Sequence, residues 1–196
     1  MSRLALSIAA LLIGSTAAQA HTGVVDPAGF AHGLMHPISG IDHVLPMIAV
    51  GLFAALLGGR ALWLVPASFV AMMGAGGVLG VAAVNVPFAE IGIGLSVVAL
   101  GSAVALRLNM RLAMAMLFVG FFAVFHGYAH GAEMPESASG FEYGLGFMLA
   151  TALLHACGIG LGWAIATMSE VRGRRIAQAA GGGMALAGIA VLVHLI

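Results

Sequence analysis

Lysine is absent from the 196-residue chain, and Cys157 is its one cysteine. A single thiol excludes an internal disulfide framework and any cysteine-rich metal cluster. Without lysine there is no Gly-x-x-x-x-Gly-Lys phosphate loop, so the chain carries no Walker-type ATPase and implies no ATPase subunit. Charge of either sign is scarce: seven Arg and seven Asp plus Glu make up 7% of the residues and cancel. A soluble domain carries about 25% charged residues. This poverty excludes a soluble enzyme, a nucleic-acid binder and a disordered protein. A Gly-x-Ser-x-Gly nucleophile elbow is also missing, since Ser96 stands in Gly94-Leu95-Ser96-Val97-Val98.

What the chain has is apolar length. Apolar residues form 62% of it, and its mean hydropathy is +1.11. The short alternating segments of an outer-membrane barrel are absent, which leaves an all-α, polytopic helical bundle. Residues 1–20 read as a cleaved signal peptide: Arg3 is the positive region, Leu4–Ile13 the apolar core, Ala18-Gln19-Ala20 the cleavage site. The apolar run is too short to span a bilayer, which takes about 20 residues. Cleavage leaves one transmembrane domain, 21–196, opening on His21, whose imidazole and free amine together can chelate a metal. Six spans are expected near 37–58, 61–84, 88–107, 111–131, 142–167 and 176–196. Each crosses roughly 30 Å of hydrocarbon as a helix, because backbone groups in lipid must bond internally.

A signal peptide sets His21 outside a cytoplasmic membrane, and six crossings return the C-terminus there. Arg60, Arg107, Arg111, Arg172, Arg174 and Arg175 then all fall on the inner side, as the positive-inside rule requires. Asp26, Asp42, Glu90, Glu133, Glu136 and Glu142 fall on the outer side, and Glu170 alone is an inner acid. The expected location is therefore a bacterial inner membrane with both mature termini periplasmic. Trp63, Trp163 and Tyr143 sit near span ends, as aromatic belts do. Most of the 29 glycines suit close helix approach.

Eight histidines are the excess in so apolar a chain. On this topology His32, His36, Asp42 and His43 lie before or within the outer half of the first span. Glu90 opens the third, His126, His130 and Glu133 close the fourth, and Glu142 opens the fifth. A charge at the bilayer centre costs about 2.5–3.5 kcal/mol on insertion scales, so such groups normally face an interior site. His126, His130 and Glu133 share one helix face within roughly 60° of arc, and His36, His43 and Met47 share another. Pro37 suits a first helical turn. Asp42, pointing about 100° from His43, is placed either to bind metal or to orient an imidazole from another helix. Imidazole with carboxylate fits Ni, Co, Zn or Cu(II), and geometry must choose among them. His155 is at once a packing residue and the only deep relay available. His194 reads as packing, and Glu136 and Glu142 as solvated carboxylates. His32-Gly33-Leu34-Met35-His36 echoes His126-Gly127-Tyr128-Ala129-His130 on the same side, which indicates shared chemistry and not an inverted repeat.

The run His36-Pro37-Ile38-Ser39-Gly40-Ile41-Asp42-His43-Val44-Leu45-Pro46-Met47 resembles the signature of the HupE/UreJ family of nickel and cobalt permeases. Phe125 to Glu133 is similar to that family's second conserved segment. The resemblance implies a non-enzymatic permease that takes up Ni²⁺, or Co²⁺, as substrate for nickel enzymes such as hydrogenase or urease. It implies no resident cofactor and no nucleic-acid partner. His36, Asp42, His43 and Met47 carry over as signature residues, with His130 and Glu133 beside them. With His126 and Glu90, these form the expected metal site; Met47, His155 and His32 form the expected path. The competing readings are an intramembrane enzyme and a haem-binding membrane protein that use the same histidines.

Overall fold

The computed structural model describes residues 27–134 and 139–195. The expected signal peptide, His21, Asp26 and Glu136 lie outside the described residues. Seven helices follow in chain order: α1 (Pro27–Ser39), α2 (Ile41–Leu57), α3 (Ala61–Val81), α4 (Ala89–Ala105), α5 (Leu112–Ala132), α6 (Gly140–Ala166) and α7 (Glu170–Leu195). Among the described residues there is no strand.

Helices α3, α5, α6 and α7 are long and apolar enough to cross a membrane. Taken together, α1 and α2 make a fifth candidate, bent by 83°. Helix α4 is apolar but only 17 residues long, a rise of roughly 25 Å at 1.5 Å per residue. Against the six expected spans stand four full-length helices, one broken pair and one short helix among the described residues.

The first expected span is the main correction. The sequence predicts one helix from 37 to 58; instead Pro37 lies inside α1, and the chain breaks at Gly40. Gly40 is extended (φ −111°, ψ 128°), which turns the chain out of α1. The Ser39 hydroxyl donates to the His36 carbonyl at 2.7 Å, within the last turn of α1. A new helix then starts as His43 N and Val44 N donate to the Gly40 carbonyl at 3.1 and 3.0 Å. Gly40 is required for space and not for its φ: a Cβ there would lie 2.5 Å from Asp42 Oδ1.

Glycine seams set the packing. Gly76, Gly80, Gly127 and Gly131 bring α3 and α5 together in parallel, so that a Cβ at Gly127 would overlap the Met73 carbonyl. Gly101, Gly181 and Gly188 join α4 to α7, and Gly51 and Gly158 join α2 to α6. Small residues permit such backbone approach where lipid supplies no hydrophobic drive. Helix α2 is central, with Met47, Val50, Phe53 and Ala54 fully buried. Large apolar side chains such as Leu117, Phe121, Leu186 and Val193 are exposed on the outside of the bundle, where lipid would cover them. The described arginines begin α3, α5 and α7 or follow α4, so they share one end of the bundle. The opposite end carries the histidines.

Candidate metal centre

At the histidine end, the last turn of α1 supplies His36, the last turn of α5 supplies His130, and the residue after α5 is Glu133. Their ligand atoms all lie within 4.8 Å of one another. His36 Nε2 is 3.1 Å from Glu133 Oε2, and the His36 and His130 rings meet edge-on with centroids 4.7 Å apart. Glu133 is exposed and His130 is buried, so the set grades from surface to interior. It opens on a vestibule of 320 Å³ that His32, Met35, Ser39 and Tyr143 also line.

Further imidazoles continue inward. The His43 ring lies 4.4 Å from His130 and 5.2 Å from His126. Asp42 Oδ1 lies 3.1 Å from His43 Nδ1, at ion-pair distance, and His126 Nε2 meets Ser96 Oγ at 2.8 Å. Beyond His126, the Phe69 ring touches both His126 and His155, at 5.8 and 5.1 Å. The Thr151 hydroxyl lies 3.5 Å from Met47 Sδ and 3.6 Å from Met73 Sδ.

His43 Nε2, His126 Nδ1 and both ring nitrogens of His130 and of His155 are buried without a hydrogen-bond partner. Buried polar groups are ordinarily paired. Neutral imidazole nitrogens beside a carboxylate form the donor set of a borderline divalent cation, and this set can strip water from one.

Of the residues expected at the site, His36, Asp42, His43, His126, His130 and Glu133 come together, and Met47 lies beneath them. His32 is an exposed wall of the vestibule. Glu90 is exposed in the first turn of α4 and forms no side-chain hydrogen bond or salt bridge among the described residues. The expected His36–His43–Met47 stripe does not exist, because the break at Gly40 puts His36 on a different helix. Asp42 holds the imidazole of its own neighbour and not one from another helix, since Nδ1 sits close enough to the backbone for an adjacent carboxylate to reach. Glu142 is half-buried with Oε2 unpartnered, where a solvated carboxylate was expected. Cys157 and His194 are exposed away from the site.

Sequence reasoning missed Tyr143, whose buried hydroxyl has no partner, along with Ser96, Thr151, Met73 and Phe69. Ser96 and Thr151 carried a signal, as polar residues in apolar helices. Met73 and Phe69 carried none, being indistinguishable from core filler.

An apolar helical bundle with histidines and carboxylates gathered at one end defines the class. The family model described as HupE / UreJ protein matches residues 9–191. "Protein HupE" of Rhizobium leguminosarum bv. viciae is 43% identical over 192 residues, covering 98% of each chain. The chain belongs to the HupE/UreJ family. No solved structure matches it.

Proposed function

We propose that the protein is a divalent transition-metal permease with Ni²⁺ as its substrate and Co²⁺ as the nearest alternative, serving nickel-enzyme maturation. In this reading the signal peptide is removed, and α4 and the broken α1–α2 pair complete six crossings. The histidine end faces the periplasm of the inner membrane. The observation that carries the proposal is the buried run of unpartnered imidazole nitrogens behind His36, His130 and Glu133. The exposed carboxylate attracts the ion, His36 and His130 replace its water, and His43 and His126 receive it. His155, one turn beyond Thr151 on α6, is the next donor inward. Binding must stay weak enough for release. The membrane potential favours inward movement by about 2.3 kcal/mol per charge per 100 mV.

One contact favours a second reading: Ser96 and His126 form a serine–histidine pair, as a membrane hydrolase would need. Its polarity is wrong. Ser96 Oγ donates its only proton to the Ile93 carbonyl at 2.6 Å, so His126 is not acting as its base. His126 Nδ1 also lacks the orienting partner that a catalytic base carries.

Uptake of radiolabelled nickel by cells expressing the chain tests the proposal. Unlabelled nickel and cobalt are expected to compete and magnesium is not. Competition by magnesium alone, or no uptake above vector cells, overturns it.

A further inference from the structure

Ser96 is fully buried on α4, and the direction of its two hydrogen bonds fixes the state of His126. A hydroxyl has one proton, and that of Ser96 goes to the Ile93 carbonyl at 2.6 Å. The 2.8 Å contact with His126 therefore runs from the imidazole, with Nε2–H donating and Oγ accepting. Neutral imidazole carries a proton on one nitrogen and a lone pair on the other. His126 Nδ1 thus holds a lone pair, and it is buried without a partner. The same logic applies at His43. Asp42 Oδ1 lies 3.1 Å from His43 Nδ1, and because a carboxylate only accepts its charge favours the proton on Nδ1. Nε2 is left with a lone pair, also buried and unpartnered. Two supporting groups on two helices leave one free donor nitrogen on each of two rings 5.2 Å apart.

We propose that Ser96 is a positioning residue that holds His126 as an Nδ1 ligand. Together with Asp42 on His43, it creates a second, buried station for a divalent transition metal behind the outer set. This rests on the metal-uptake reading for its purpose, but not for its geometry. His130 is common to both stations, 4.7 Å from the His36 ring and 4.4 Å from that of His43. Only the outer set has its ligand atoms within 4.8 Å of one another among the described residues. The inner rings must therefore turn to close on an ion, which orders the stations as capture and then receipt. Without the Ser96 hydroxyl neither ring nitrogen of His126 would have a partner, and nothing would keep the proton on Nε2 and off Nδ1, the nitrogen needed for the metal.

Nitrogen-15 NMR of the histidine-labelled full chain in nanodiscs reads the tautomer directly. The expected result is a protonated Nε2 and a bare Nδ1 on His126, lost in Ser96→Ala and retained in Ser96→Thr. Nickel uptake at low concentration is expected to fall about tenfold in Ser96→Ala, the range seen for groups that orient a ligand, and to recover in Ser96→Thr. In a His36→Ala, Glu133→Ala background, weak nickel binding by equilibrium dialysis should persist and then vanish on adding Ser96→Ala. A proton on His126 Nδ1 in the unmutated chain overturns the inference. So does no residual binding in the double variant, or covalent labelling of Ser96 by a fluorophosphonate. The stated tautomer in a chain that transports no metal would uphold the positioning role and sink the permease reading instead.

Discussion

The two halves of this bundle are built on opposite rules. Toward the histidine end lie the buried polar residues of the described chain, Ser96, His126, His130 and Thr151, with His155 deepest. Toward the arginine end the fully buried side chains of the described residues are apolar, among them Phe53, Val65, Leu100, Val104 and Val119, and Phe53 packs edge-on against Phe118 at 6.2 Å. The first half keeps unpaired nitrogens at a cost in stability, and the second has no fully buried polar side chain among the described residues. A cation held by the imidazoles would meet no further buried imidazole there, so delivery would require the apolar half to part. Binding chemistry and fold stability are separated along one axis, with α2 running through both.

Paired substitutions test that separation, and the largest effect is expected at the ring both stations share. His130→Ala should lower nickel uptake by about 100-fold or more while costing less stability than a core aromatic, because the cavity it leaves is offset by removing two buried nitrogens that have no partner. Its counterpart Phe53→Ala should do the reverse, costing about 3 kcal/mol through the cavity it leaves with nickel affinity unchanged. Exchange of these two phenotypes would erase the distinction. Asp42→Asn should weaken nickel binding by about 10–100-fold, the range for a lost carboxylate behind a ligating histidine; isothermal titration of purified protein measures it. Gly40→Ala should cost about tenfold by the same route, because the new Cβ would lie 2.5 Å from Asp42 Oδ1 and push the carboxylate off His43. The smallest effect is that of pH. Protons compete with metal for neutral imidazole, so nickel affinity should decline steadily from about pH 7.5 to about pH 5.5. A flat profile would remove histidine from the ligand set.

Hydropathy located most helices to within a few residues: 61–84 was expected for α3 (Ala61–Val81), and 111–131 for α5 (Leu112–Ala132). It started α7 near 176, whereas the helix begins at Glu170, because Arg172, Arg174 and Arg175 end the apolar run without ending the backbone hydrogen bonding. The Gly40 break escaped detection for a related reason. Hydropathy is continuous across it, and the turn rests on the extended backbone of one glycine among 29. Among the site residues, histidines and acids were visible because ionisable groups are costly in lipid. Their grouping was not, because it depends on that break. Ser96 and Tyr143 were not assigned to the site, because the role of one hydroxyl in a helix depends on neighbours that the sequence does not show.

The corner at Gly40 places His36 on one arm of an angle and His43 on the other. A cation engaged by both stations would act as a clasp, drawing the thirteen-residue arm α1 down against the end of the bundle. Cargo loading would thereby be written into the angle of a single joint, and resistance of that arm to proteolysis would report occupancy.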